Sequence, residues 1–187
     1  MRRSEALKHF EDEYTMPSFI QMDEEMDKYI EENRKELTDA FVENFRTLCN
    51  KIRTMQDEGK KGKIAYITYC FTIDNLQKES RYYEVQAFGT EWFLEEGEEC
   101  KISYNVGWIY DFLDSTYGKL LEISKKYIGK INGADMDQVW KRGIVFCDVR
   151  LLSFGKKAIK EAIKIEEFKA IDKEEVLEIR LGQKKGY

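Results

Sequence analysis

Histidine and proline are almost missing from this chain: its 187 residues include one histidine, His9, and one proline, Pro17. A site that needs two imidazole ligands, such as an HExxH zinc site, is therefore excluded. A Ser-His-Asp or Cys-His nucleophile system would have to recruit His9, which lies in a polar N-terminal segment. We expect His9 to be a solvent-exposed residue rather than a catalytic one.

Closely spaced cysteines are missing too, since Cys49, Cys70, Cys100 and Cys147 lie far apart without a CxxC pair. Structural zinc sites use close ligand pairs, so we expect no metal. Neither GxxxxGK[ST] nor GxGxxG occurs, so the common phosphate-binding loops are absent and no cofactor is expected.

Long apolar runs are also absent. No run approaches the roughly 20 residues needed to span a bilayer, and Met1, Arg2 and Arg3 are not followed by the apolar stretch of a signal peptide. With cysteines that we expect to be reduced thiols, this predicts a cytoplasmic protein with no membrane contact.

Charge is plentiful but mixed. Charged residues make up 36% of the chain and the net charge is -5, while 42% hydrophobic residues are enough to form a core. A net negative charge disfavours general nucleic-acid binding, which requires clustered Lys and Arg to neutralise phosphates. Lys156, Lys157 and Lys160 could form a local basic strip with Lys141, Arg142 and Lys164.

The most regular pattern runs from Met22 to about Asp57 and predicts one long amphipathic helix. Its apolar face recurs at three- or four-residue steps. The stripe consists of Met26, Ile30, Asn33, Leu37, Phe41, Phe45, Leu48, Ile52 and Met55. We expect this helix to pack on a sheet. The alternative is a dimerisation helix, which the polar Asn33 favours because a buried Asn can fix the register of paired helices.

The remaining elements follow from apolar spacing. Alternating residues predict strands over 63–73, 81–88, 90–94, 100–104 and 174–181. Helical spacing predicts helices over 105–130 and 135–168. The β-branched segment 143–154 could instead be a strand, but we favour a helix there. Pro17 should end a short helix over 4–14.

These elements predict an α+β fold. An antiparallel sheet of about three to five strands should be covered by three helices, including the long N-terminal amphipathic helix. Residues 1–21 are predicted to be a loosely attached N-terminal segment, and residues 22–187 a single domain.

Two stretches are candidate sites. Glu99 and Lys101 form an ExK triplet on a predicted strand, as in metal-dependent nucleases of the PD-(D/E)xK type, although no convincing upstream Asp sits on a paired strand. An apolar run beside an acidic turn has the anatomy of a protein-binding patch, apolar anchors with a charged rim. This patch consists of Trp92, Phe93, Leu94, Glu95 and Glu96.

Three functions are compatible with these features. The leading hypothesis is a cytoplasmic, non-enzymatic protein-interaction module, such as an adaptor, an assembly subunit or an acidic inhibitor, with a protein partner or self-association. The alternative is a metal-dependent nuclease or phosphoryl-processing enzyme that uses acidic residues. The third is a nucleic-acid-binding accessory protein that uses Lys156, Lys157 and Lys160.

Overall fold

The computed structural model describes residues 1–71, 81–94 and 99–183, and the chain divides into two compact units. The helical unit comprises Met1–Asn33 and Gly107–Leu151. The sheet unit comprises Arg34–Val106 and Leu152–Tyr187. The predicted α+β class is confirmed, with a four-stranded sheet and a long helical run at the N-terminus.

The helical unit begins with α1 (Arg3–Phe10), a π-helical turn (Glu11–Thr15) and α2 (Met16–Glu32). The expectation that Pro17 would end the first helix is wrong. Pro17 lies in the first turn of α2, where its missing N–H is tolerated. The π turn before it closes with a bond from the Met16 N–H to the Glu11 carbonyl, so the helical path continues.

The single helix predicted over 22–57 is two helices, because the path breaks at Asn33 between α2 and α3 (Arg34–Asp57). Asn33 has φ -108° and ψ 17°, outside the helical region. Both its backbone N–H and its side-chain Nδ2 donate to the Tyr29 carbonyl, at 2.9 Å each. The Asn33 side chain therefore bonds to a backbone carbonyl four residues earlier in the chain, as short polar side chains do at helix ends.

Two further helices complete the helical unit: α4 (Gly107–Ser124) and α5 (Gly133–Ala162), the latter as far as Leu151. The choice of helix for 143–154 is confirmed. The rings of Phe19 on α2 and Phe146 on α5 lie 5.2 Å apart. Arg150 forms a fork of 2.6 Å hydrogen bonds to both oxygens of Asp23.

The sheet unit carries four strands in the order β3-β2-β1-β4. They are β1 (Ile64–Phe71), β2 (Tyr82–Phe88), β3 (Cys100–Asn105) and β4 (Lys173–Gln183). The first three form an antiparallel meander, whereas β4 runs parallel to β1, so the sheet is mixed rather than wholly antiparallel. The strand predicted over 90–94 is wrong, since Trp92–Leu94 is a turn of 3-10 helix.

One face of the sheet is covered by α3 and by the part of α5 after Leu151. Phe41 on α3 stacks on Tyr69 of β1 at 5.0 Å, and its ring also meets Tyr104 of β3 and Phe154 of α5. A short helix, α6 (Glu166–Ala170), places Phe168 against Phe45 at 5.3 Å. The apolar stripe of α3 therefore forms the core of this unit, as the sequence predicts.

Two helical glycines of the helical unit should respond to alanine in opposite directions. At Gly143 a Cβ would collide with the buried Leu113 side chain and approach Phe19 Cε1 to 3.3 Å, so Gly143→Ala should destabilise the protein by about 1–3 kcal/mol. At the exposed Gly118 nothing lies within 4 Å, so Gly118→Ala should stabilise it by about 0.5–1 kcal/mol. Urea midpoints measure both, and equal shifts would contradict the packing at Gly143.

The buried thiol of Cys49 predicts a loss of stability at high pH. Burial raises the pKa of Cys49 from 9.0 to about 12, and the charge of Glu167 adds to the shift. The pKa of Cys49 is higher in the folded state than in the unfolded state. The contribution of the protonated thiol to the free energy of unfolding is therefore complete below pH 9.0 and disappears as the pH rises towards 12.

The stability difference between the wild type and Cys49→Ala should therefore shrink between about pH 8 and about pH 11. Burial also raises the pKa values of Tyr69 and Tyr104, but these tyrosines are common to both proteins. A difference that stays constant across this range would show that Cys49 titrates normally in the folded state.

Candidate interaction site

The face of the sheet opposite α3 is called here the polar face. Alternation along each strand places on it Tyr66, Thr68, Cys70, Glu84, Gln86, Phe88, Lys101, Glu178 and Arg180. The strand register aligns Phe88, Tyr66 and Glu178 in one row, and Gln86, Thr68 and Arg180 in the next. Side chains from β2, β1 and β4 therefore meet on one surface.

The turn that follows β2 carries Trp92 to this face. The Trp92 N–H donates to the Gly89 carbonyl at 3.3 Å, and the Leu94 N–H donates to Glu91 at 3.1 Å, which closes a tight reversal. Trp92 has φ +54° and is the one described residue other than glycine with a positive φ. A bulky side chain in this conformation is a genuine outlier that costs about 1–3 kcal/mol, and such outliers cluster at ligand-binding and active sites.

Three contacts hold the Trp92 ring on the face. It lies nearly parallel to Phe88, with centroids 5.8 Å apart and an angle of 9°, and edge-on to Tyr66 at 4.1 Å. The Arg180 guanidinium carbon sits 4.3 Å from the Trp92 centroid and 5.2 Å from that of Tyr66. We call these four residues the Trp92 cluster.

The contacts of the Trp92 cluster are strong enough to stabilise the strained backbone at Trp92. Aromatic pairs of this kind contribute about 0.5–1.5 kcal/mol each, and an exposed cation–π contact about 0.5–1 kcal/mol. Together they match or exceed the cost of the left-handed backbone at Trp92. Arg180 is fixed in turn, because its Nε and Nη2 donate to Glu178 Oε2 at 2.9 and 2.7 Å.

Two residues of the predicted patch stand on or beside this surface. Trp92 is half-buried in the cluster, and Leu94, in the same turn as Phe93, is 82% exposed. Glu95 and Glu96 lie outside the described residues. Sequence reasoning missed Tyr66, Phe88 and Arg180, and the only available signal was that each occupies an outward position of an alternating strand.

The centre of the polar face has an unsatisfied hydroxyl. Thr68 is 2% exposed, and its Oγ1 has no hydrogen-bond partner. Its neighbour Gln86 in the register is 8% exposed. A buried hydroxyl without a hydrogen-bond partner costs free energy, so Thr68 destabilises this part of the sheet.

The ExK residues occupy the β3 edge of the same face. Lys101 is paired with Glu99, and its pKa is raised first by that hydrogen bond and then by the charges of Glu99 and of Glu84 on β2. An acidic residue thus does stand on the strand paired with β3. Over the described ranges, no three His, Cys, Asp or Glu side chains are grouped so as to hold a metal ion.

The helical unit has an open cleft of about 380 Å³ next to Phe10 and Val139. The charges at its rim are already paired. Arg142 forms a fork with Glu11 at 2.5 and 2.6 Å, and Arg3 Nη2 donates to both oxygens of Asp135 at 2.7 and 2.8 Å. The cleft therefore presents little unmatched charge to a ligand.

The positive charge of the basic strip predicted from the sequence is partly neutralised by ion pairs. Arg142 is held by Glu11, and Lys164 donates to both oxygens of Glu161 at 2.8 Å. Lys156, Lys157 and Lys160 are exposed on α5. His9 is also exposed, as expected, and its Nδ1 lies 2.7 Å from the Tyr127 hydroxyl.

Comparisons with protein-family models, curated proteins and solved structures find no match to this chain. Of the helices in the described ranges, none has the length and apolar character to cross a membrane. A fold by itself does not imply a function, so the side chains of the site carry the functional information.

Proposed function

We propose that this chain is a non-enzymatic, cytoplasmic protein-interaction module that binds its partner through the Trp92 cluster and Leu94. The observation that carries the proposal is a strained Trp92 held by Arg180 beside an 82% exposed leucine. Trp, Tyr and Arg are the residue types that dominate binding energy at protein interfaces. The wide spacing of the four cysteines, without a CxxC pair, supports the cytoplasmic part of the proposal.

The surroundings of the patch suggest the chemistry of the partner. Five glutamates flank Trp92 and Leu94 in sequence: Glu91, Glu95, Glu96, Glu98 and Glu99. A segment with an apolar anchor between Lys or Arg residues would bury the anchor against Trp92 and Leu94, and its positive charges would complement the surplus of acidic residues in this stretch of sequence. Such charge complementarity favours the association rate and weakens as the salt concentration rises.

Synthetic peptides test this proposal directly. Fluorescently labelled peptides with a central Leu or Phe between Lys or Arg residues should bind the wild type, and the same peptides with Glu flanks should not. Trp92→Ala and Leu94→Ser should each weaken binding about tenfold or more, since hot-spot residues contribute about 2 kcal/mol or above. Fluorescence anisotropy measures the affinities.

The matched control is Ile128→Ser, because Ile128 is an 88% exposed aliphatic residue of the helical unit. It should leave peptide affinity unchanged. Trp92→Ala could lose binding by misfolding. Leu94→Ser tests the same site without this risk, because Leu94 buries little surface. Binding that ignores the flanking charges, or that survives both site variants, would refute the proposal.

A second candidate is a metal-dependent nuclease, favoured by the position of Glu84 on β2 within electrostatic range of Lys101. Glu84 and Glu99 would supply hard oxygen ligands for a divalent cation, and Lys101 would stabilise negative charge that develops on a phosphate.

This candidate predicts cleavage of plasmid DNA that requires Mg²⁺ or Mn²⁺ and is abolished in Glu99→Gln. Glu58→Gln is the matched control, because Glu58 also pairs with a lysine two residues further along the chain, Lys60 at 2.8 Å. Cleavage that persists in Glu99→Gln, or that Glu58→Gln abolishes equally, would rule out this role for Glu99.

A further inference from the structure

Strand β4 forms one edge of the sheet. Within the described ranges, β1 is its only strand neighbour. β4 has 11 residues and contains no proline. Its register with β1 is irregular before Glu178 and regular from Glu178 to Gln183. A long edge strand presents backbone N–H and C=O groups that another strand can pair with.

The regular part of β4 has a self-complementary sequence centred on Ile179. Leu177 and Leu181 stand two residues to either side, and between them lie one acid, Glu178, and one base, Arg180. In antiparallel pairing with a second copy centred on this residue, Leu177 opposes the partner's Leu181 and Glu178 opposes the partner's Arg180. Apolar pairs then share one face and opposite charges share the other.

The apolar residues on one face of β4 and the charged residues on the other are both able to contact a second strand. Leu177, Ile179 and Leu181 are only half-buried, although Ile179 and Leu181 stand in register with the buried Ile67 and Tyr69. A second strand would cover the exposed remainder of this row.

On the polar face, Arg180 uses Nε and Nη2 for its own Glu178, while Nη1 makes no hydrogen bond within the described ranges. That nitrogen is available to the partner's Glu178. Acids and bases would then alternate across the junction, so each arginine would contact two carboxylates.

We propose that two copies of this chain pair antiparallel through β4, centred on Ile179, and join their four-stranded sheets into one continuous sheet. The occupant of the edge is a second copy because the strand complements itself in both charge and apolar pattern. This inference does not rest on the proposed binding of a basic partner.

Charge reversal tests the pairing and its register together. Glu178→Arg places arginine opposite the partner's Arg180, and Arg180→Glu places glutamate opposite the partner's Glu178. Each variant alone should dimerise at least about tenfold more weakly than the wild type, because like charges face each other at both ends of the pair. An equal mixture of the two should form a heterodimer, since every opposed pair is then complementary.

Light scattering over a range of concentrations measures the mass, and native mass spectrometry identifies the heterodimer. Lys101→Glu on β3, at the opposite edge of the sheet, is the matched control and should dimerise as strongly as the wild type. Leu94→Ser should do the same while weakening peptide binding, which separates this proposal from the interaction module.

A wild type that stays monomeric at every concentration would overturn the proposal, as would single variants that dimerise normally or a mixture that does not associate. Hydrogen exchange provides a check without substitutions, because the amides of 177–181 should become more protected as the wild-type concentration rises. Protection that does not depend on concentration would likewise count against the pairing.

Discussion

The sheet unit depends on the packing of Phe41. Its ring stacks on Tyr69 in the inner strand β1 and meets Tyr104 and Phe154 edge-on, so one side chain joins α3, two strands and α5. Aromatic rings carry large apolar areas, which makes such a junction the dominant local contribution to burial. With this face closed, the opposite face of the same strands is left to carry polar and functional side chains.

That opposite face is where structure and proposed function meet. Trp92 adopts an unfavourable backbone conformation that is sustained by contacts to β1, β2 and β4. Because the three strands are hydrogen-bonded in one sheet, the anchors are held rigidly, which lowers the entropic cost of binding a partner. Leu94 adds exposed apolar area that the fold itself does not use.

Arg180 links this site to the edge of the sheet. Its guanidinium stacks on Trp92 and Tyr66 while it donates to Glu178 in the same strand. A lysine could not replace it, since a compact ammonium neither stacks as a plane nor donates as a fork. If β4 pairs with a second copy, the two Trp92 clusters would lie on the same side of one continuous sheet, and partner binding would become bivalent.

The sequence alone determined the α+β class and the strands beginning at Ile64, Tyr82 and Lys173, because each follows from a local apolar period. For 143–154 the sequence favoured a helix but left a strand open, and the structure decided for the helix. It also singled out Trp92 and Leu94 as a candidate site. Only the tertiary structure decided that β4 runs parallel to β1, since strands about a hundred residues apart leave no trace of their pairing in a local pattern.

The break at Asn33 and the cluster around Trp92 were decided in the same way. A continuous apolar stripe does not reveal that the Asn33 side chain will bond to the Tyr29 carbonyl at the point where α2 ends. Tyr66, Phe88 and Arg180 come from three strands, and their meeting depends on the register and on a turn that returns the chain over β2. Local periodicity fixes which face a residue occupies, whereas its neighbours on that face are set by long-range pairing.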